Sequence, residues 1–328
     1  MAPSAYSADQ ITQYLDYIGL PSHYHPSSPS RLPLDFDFLT TLHAHQIATI
    51  PYENLSLHYS ATKEISIDPQ VTFKKIVSDK RGRGGYCMEA AIFFNHILRA
   101  LGFDAYTAGV RIRYRENGVP TGDYIGWTHI VNIVTLPDST KYVSDVAFGG
   151  DGPTKPMPLL PDIVTPNIGT QELRFVHESL TQQTHDSAAT KYWIYQYRNA
   201  PTAPWNSFYA FTELEFLHGD FEVMNHFTST SKKSFQTYTA LVVKFLMARE
   251  DDEEMRAESR AEGKGKGGVY GKVMLVGGDV KVNTDGKTRV VKRCETEAER
   301  VEALKDWFGM TFTEEEKEGI RGHVTELK

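Results

Sequence analysis

Three residues in this chain carry side chains that do chemistry together: Cys87, His129 and Asp145. Cys87 follows a double glycine in Arg83-Gly84-Gly85-Tyr86-Cys87-Met88-Glu89, and from it runs an apolar face at helical spacing (Ala90, Ala91, Ile92, Phe93, Phe94, Ile97, Leu98, Leu101) that ends at Gly102. The thiol is therefore predicted at a helix N-terminus. Unpaired backbone N–H groups, the positive end of the helix dipole and the nearby Arg83 would make it more acidic than a free thiol, as a nucleophile requires. The plain alternative is a small buried residue at a helix start. His129 lies in the strand pattern Trp127-Thr128-His129-Ile130-Val131, and Asp145 in Val143-Ser144-Asp145-Val146. Taken singly, each is ordinarily a structural residue.

Their order changes that reading. If the two strands pair, His129 lies between Cys87 and Asp145, with the carboxylate fixing the imidazole tautomer and the imidazole holding the thiol as a thiolate. The expectation is a resting thiolate–imidazolium pair that titrates as one unit. Such a triad performs acyl transfer through a thioester. Cysteine peptidases, transglutaminases and acyltransferases all share it, so the residues alone leave the acyl acceptor open. A non-catalytic thiol sensor is a further alternative, for which Cys294 is the one other thiol in the sequence.

The elements that must position these groups follow from periodicity. Ser7-Ala8-Asp9-Gln10 has the form of a capping box before the stripe Ile11, Tyr14, Leu15 and Ile18. A second helix with Phe38, Leu39 and Leu42 must stop before Pro51, and Asp68-Pro69 starts a third. Residues 1–103 thus read as a helical domain ending in the cysteine helix. From Asp104 the pattern turns to short β-branched and aromatic runs, an antiparallel β unit over 104–222 with proline-rich connections and a short helix expected from Phe211 to Leu217. Residues 223–328 read as a mixed α/β unit with strands at 239–246, 269–276 and 287–293 and a helix capped at Thr296. The segment 248–268, acidic and then rich in Lys and Gly, is expected to be a disordered insertion.

Composition narrows the function. A net charge of −7 and a pI near 6 point to neither nucleic acid nor an anionic membrane as partner. With no apolar run of membrane-spanning length, no leader pattern and only two cysteines, the chain reads as cytoplasmic. Gly263, Gly265 and Gly268 spell a dinucleotide motif but follow a charged helix pattern and precede a strand, the reverse of the context it needs. The histidine pairs His23/His25 and His43/His45 have no cysteine nearby, and i, i+2 side chains diverge on a helix, so no metal site is expected.

The sequence also resembles the arylamine N-acetyltransferase family. The likeness rests on Ile50-Pro51-Tyr52-Glu53-Asn54-Leu55, the Arg83 to Glu89 segment, Thr128-His129, Asp145-Val146 with Phe148-Gly149, Ser229-Thr230-Ser231 with Ser234-Phe235, and Phe308-Gly309. It implies an α+β fold: an N-terminal helical domain, an antiparallel β-barrel domain and a C-terminal α/β lid around a papain-like Cys-His-Asp core. It implies the triad Cys87, His129 and Asp145, with Glu53 and Arg83 paired in support of the cysteine turn. The insertion is similar to the variable C-terminal regions of fungal members. Ala91, where the family often has Asn, and Ala147, where Gly is usual, depart from the pattern without touching the triad. The activity implied is transfer of an acetyl or other short acyl group from acyl-CoA, through acyl-Cys87, to an arylamine, arylhydrazine or N-hydroxyarylamine. Acyl-CoA is then a co-substrate and no cofactor is permanently bound. Thr228, Ser229, Thr230 and Ser231 are the candidates for holding CoA, with Lys232 and Lys233 close by, and Tyr52, Tyr114 and Trp127 are the candidates for the amine pocket.

Overall fold

The computed structural model describes residues 3–25, 32–248 and 268–328, so the expected insertion lies outside the described residues except for its two end positions. Helix α1 (Ala8–Tyr17) begins as expected, with the Ser7 hydroxyl accepting from the N–H of Gln10 and the Gln10 amide oxygen accepting from that of Ser7. Helix α2 (Phe36–Thr49) starts at Asp35, whose carboxylate accepts the Phe38 N–H, and stops before Pro51. Two short helices follow, α3 (Ser56–Tyr59) and α4 (Pro69–Phe73). Helix α5 (Cys87–Leu101) ends at Gly102, whose φ of 101° is left-handed, as a C-cap glycine allows. These helices bury Tyr14, Leu15, Phe38, Leu42, Phe93, Phe94, Ile97 and Leu98 against one another in one apolar core.

Two residues past Gly102, the chain turns to sheet. Eight strands pair antiparallel throughout, and β2 (Asp104–Ile112), β5 (Trp127–Thr135) and β6 (Lys141–Ser144) lie side by side among them, while β1 (Tyr52–Glu53) belongs to another sheet and β3 (Arg115–Glu116) pairs with β4 (Val119–Pro120). The strand Asn206–Glu215 pairs with β2 on the other side. That strand corrects the helix expected from Phe211 to Leu217. The run Phe208-Tyr209-Ala210-Phe211 is rich in strand-favouring aromatics, and it is paired on both sides, with β2 and with Tyr192–Arg198; the helix begins only at His218 and runs to Thr230 as α6. The inner face of this nearly closed sheet is filled by Val110, Val131, Phe175, Tyr195, Tyr209 and Phe211.

A second, five-stranded sheet contains Leu241–Met247, Val269–Val276, Asp279–Thr284 and Lys287–Arg293, two of them at the bounds read from the sequence. Its edge strand comes from far away in the chain: Tyr52 and Glu53 pair with Val243 and Val242. Helices α7 (Glu297–Phe308) and α8 (Glu314–Gly319) close the other face of this sheet, burying Leu304 and Phe308 with Val273 and Leu275. No helix among the described residues is long and apolar enough to cross a membrane.

Candidate active site

Helix α5 starts where it does because Tyr86 is extended and its N–H is taken by the Glu89 carboxylate at 3.2 Å, leaving Cys87 as the first helical residue. The turn before it is packed too tightly for side chains. A Cβ on Gly84 would stand 1.8 Å from the Pro51 carbonyl oxygen. The Gly85 carbonyl accepts the Glu53 N–H at 3.1 Å, and one Glu53 carboxylate oxygen accepts the Gly84 N–H at 3.3 Å. Glu53 and Arg83 pair as expected: Nε and Nη2 of Arg83 reach the two oxygens of Glu53 at 3.0 and 3.3 Å, with both side chains buried. Burial opposes the charge of Glu53, but Arg83, Lys75 and the Leu55 N–H outweigh it and hold the carboxyl at about 2.

The other two residues come from the sheet. Strands β5 and β6 pair with Asn132 opposite Ser144, so the next residue, Asp145, falls level with Val131 and on the face that also carries His129. His129 Nε2 lies 2.9 Å from Asp145 Oδ2, and the other carboxylate oxygen accepts the Ala147 N–H at 3.1 Å. With Nε2 engaged, Nδ1 is the nitrogen left to exchange a proton with a thiol. The ring is boxed by Phe148 at 4.9 Å and Tyr209 at 5.8 Å. Beside His129 the pairing of β2 slips at Val110 and Arg111, a bulge of the kind that re-aims side chains near active sites.

The Cys87 thiol donates to the carbonyl of Thr128 at 3.8 Å, the residue immediately before His129. The three residues are thus brought to one place. Electrostatics correct one expectation. Burial pushes the Cys87 thiol up to about 12, and although the N–H groups of Met88 and Cys87 pull it down, the charges of Asp145 and Glu89 push it further up. A helix N-terminus alone therefore does not make a thiolate in this closed site.

The supporting candidates divide. Tyr52 and Trp127 belong to the apolar cluster around Cys87, with Ile130, Ala147 and Phe221. Tyr114 does not; it is exposed and its hydroxyl donates to the Lys233 carbonyl at 3.3 Å, beside the Ser/Thr run. That run is helical for its first three residues. The hydroxyls of Thr228, Ser229 and Thr230 donate to carbonyls of their own helix, Met224, Asn225 and His226, and Ser231 accepts the Lys233 N–H. Thr228 also meets the Tyr86 hydroxyl at 2.9 Å, which fastens α6 to the residue before Cys87. A cleft of about 710 Å³ between α5, β2 and the start of α6 touches this cluster through Ile92, Phe216 and Phe221 but includes none of the three polar residues. Its size does not locate the chemistry.

Several residues of the site escaped the sequence reading. Lys75 bridges Glu89 at 2.6 Å and lies 3.8 Å from Glu53. Asn54 clips two segments together, donating to the Thr239 carbonyl at 2.8 Å and accepting the Leu241 N–H at 2.9 Å. His43, seen above only as half of a diverging pair, is fully buried; its ring nitrogens meet Ser144 Oγ at 2.9 Å and the Pro153 carbonyl at 3.1 Å, bracketing the Asp145 loop. His45 turns away to the Ile18 carbonyl at 2.9 Å. The one available signal was the adjacency of Asn54 to Glu53 and of Ser144 to Asp145.

The profile of the N-acetyltransferase family matches residues 35–251. The chain belongs to the arylamine N-acetyltransferase family. Among curated proteins it is 33% identical to the N-malonyltransferase FDB2 of Fusarium pseudograminearum, over 97% of this chain and 93% of the relative. It is 32% identical to the arylamine N-acetyltransferase of Escherichia coli over 60% of this chain and 61% of the relative. Among solved structures it superposes on the Salmonella typhimurium arylamine N-acetyltransferase with a TM-score of 0.73 at 22% identity, covering 96% of this chain and 98% of that one. The Mycobacterium marinum arylamine N-acetyltransferase in complex with CoA superposes with a TM-score of 0.70 at 22% identity, covering 94% and 98%. The fold is therefore that of the family, and the chain is an acyltransferase of this family.

Proposed function

We propose that the chain moves a short acyl group from acyl-CoA to the nitrogen of an arylamine, arylhydrazine or N-hydroxyarylamine by a ping-pong mechanism. The observation that carries this reading is the 2.9 Å contact of His129 with Asp145, one residue from the carbonyl to which the Cys87 thiol donates. His129 Nδ1 takes the thiol proton, and the sulfur attacks the thioester carbonyl carbon. The carbon–sulfur bond to CoA breaks, and CoA leaves with the proton from His129. In the second half the amine lone pair attacks acyl-Cys87, its proton passes to His129, and the Cys87 sulfur departs. Weakly basic aromatic amines suit this step because they are neutral near pH 7.

Asp145 holds the ring tautomer and stabilises the imidazolium. The apolar surroundings of Cys87 favour an amine over water as acceptor, which argues for transfer rather than hydrolysis. A sensor role is not supported, since Cys294 sits in a different core and donates to the Glu299 carbonyl at 3.6 Å. For CoA, the exposed Lys232 and Lys233 beside Tyr114 are the contacts we assign to phosphate, because the Ser/Thr hydroxyls are already engaged. A relative named as an N-malonyltransferase makes malonyl as well as acetyl a candidate donor. Intact mass after incubation with acetyl-, propionyl- or malonyl-CoA, without amine, tests the reading. The mass gained on Cys87 names the donor, and no gain with any of them overturns it.

A further inference from the structure

The cysteine turn is gripped from two sides, and only one grip has been described. On the side away from Glu53, Nη1 of Arg83 reaches Oε1 of Glu316 at 2.9 Å. The other Glu316 oxygen takes Nη1 of Arg81 at 2.5 Å and the Thr313 N–H at 2.8 Å. One carboxylate at the start of α8 thus spans two arginines that flank Gly82. The backbone follows the same path. The Thr311 N–H donates to the Arg81 carbonyl at 3.0 Å, and Gly82 runs so close to Gly309 that a Cβ there would stand 2.3 Å from its carbonyl oxygen. The Arg83 guanidinium, 1% exposed, also stacks over the Phe312 ring at 5.1 Å.

Arg83 has five N–H groups in a rigid fork. Glu53 and Ser56 occupy Nε and Nη2, and Glu316 occupies Nη1. Without Glu316 a buried guanidinium face would lose its second carboxylate, and the fork could rotate about the remaining bonds. Glu53 also holds the Gly84 N–H, three residues before the nucleophile, so such a rotation reaches the start of α5. Burial resists ionisation of Glu316, yet the Thr313 N–H, Arg81 and Arg83 outweigh it and hold its carboxyl below the usual range.

We propose that Glu316 is a positioning residue for Cys87, acting through Arg83: the last helix sets the direction in which the cysteine turn presents its thiol to His129. This takes Cys87 as the nucleophile, as above. It predicts that the thiol, and not only the stability of the fold, responds to a residue 229 positions away (316 − 87).

The test uses the full chain in a Cys294→Ser background, so that Cys87 is the sole thiol. Glu316→Gln keeps the shape and removes the charge, Glu316→Asp keeps the charge at shorter reach, and Glu314→Gln, on the same turn and paired with Lys317, is the control. Read out are the rate of iodoacetamide alkylation against pH, kcat and KM for acyl-CoA, and melting temperature. Glu316→Gln is expected to lower both the alkylation rate and kcat by roughly tenfold, with KM little changed. Glu316→Asp should recover part of this, and Glu314→Gln should match the parent. A Glu316→Gln protein that melts earlier but keeps the parent's alkylation profile and kcat overturns the proposal. Should that variant not fold, Glu316→Asp, whose shorter reach loosens the contact with Arg83, is read in the same way; unchanged alkylation and kcat there overturn it equally. If no acyl-CoA labels Cys87, the functional reading fails while the alkylation profile still decides the role of Glu316.

Discussion

The two halves of the site are built from different materials. His129 stands on β5 and Asp145 directly after the end of β6, its paired neighbour, and the loop after Asp145 is fixed by neutral hydrogen bonds from His43 to Ser144 and Pro153. Cys87 stands on a glycine turn with no sheet of its own, held by ions from four separate segments: Glu53, Lys75, Arg83 with Glu89, and Glu316. Strand register tolerates the loss of one side chain, because the backbone ladder persists. An ion network that encloses charge does not, because each deletion leaves a partner buried and unpaired. The half that holds His129 and Asp145 is thus set largely by backbone, and the half that holds Cys87 largely by side chains.

The comparison can be broken most severely at the reacting atoms. Cys87→Ser should abolish acylation, read as mass gained from acyl-CoA, while Cys294→Ser leaves it intact. His129→Gln should lower single-turnover acylation by roughly a thousandfold or more, and Asp145→Asn by a comparable factor through the tautomer. Neither should shift melting as much as a deletion in the ion network. Arg83→Ala should do so, costing about 3–5 kcal/mol by stranding Glu53, and a denaturant midpoint unchanged from wild type would remove the contrast drawn here.

Acid sharpens the same contrast. Glu53 ionises near 4.5 in an unfolded chain but at about 2 in the fold, so its contribution is present above 4.5 and is lost as pH falls from there toward 2. His43 is ordinarily half-protonated at 6.5, but burial brings it to about 4, so the fold holds it neutral and its contribution is lost earlier, as pH falls from 6.5 toward 4. Denaturant midpoints measured down this range should fall in both windows. His43→Gln should shrink the earlier loss without abolishing it, since burial also lowers His58 and His96, to about 3 and about 4. Its smaller effect should leave the lower window in place.

What the sequence revealed follows from the same division. Helix α5, its terminal glycine and the strands around His129 and Asp145 were legible because period and capping are local properties. The likeness of motifs supplied the pairing of Glu53 with Arg83. Lys75, Asn54 and Glu316 were not legible, because their partners are fixed only when distant segments meet, and a Lys, Asn or Glu on a polar stretch carries no mark of that meeting. The helix expected at 211–217 failed for a related reason: a short run without a decisive period takes the state that its neighbour β2 offers. The acidity expected of Cys87 failed because a dipole is visible in sequence and burial is not.

The pairing of Tyr52 and Glu53 with Val243 and Val242 joins residues about 190 positions apart. Contacts of such separation form late, since the entropy of closing a long loop precedes any gain from it. On the ribosome, a chain that has emerged through Cys87, His129 and Asp145 still lacks the strand that braces the glycine turn and the helix that grips Arg83. With Cys87 as the proposed nucleophile, the nascent protein carries all three side chains of the site well before the turn that holds the thiol is complete, and chemistry there would wait on the completion of synthesis.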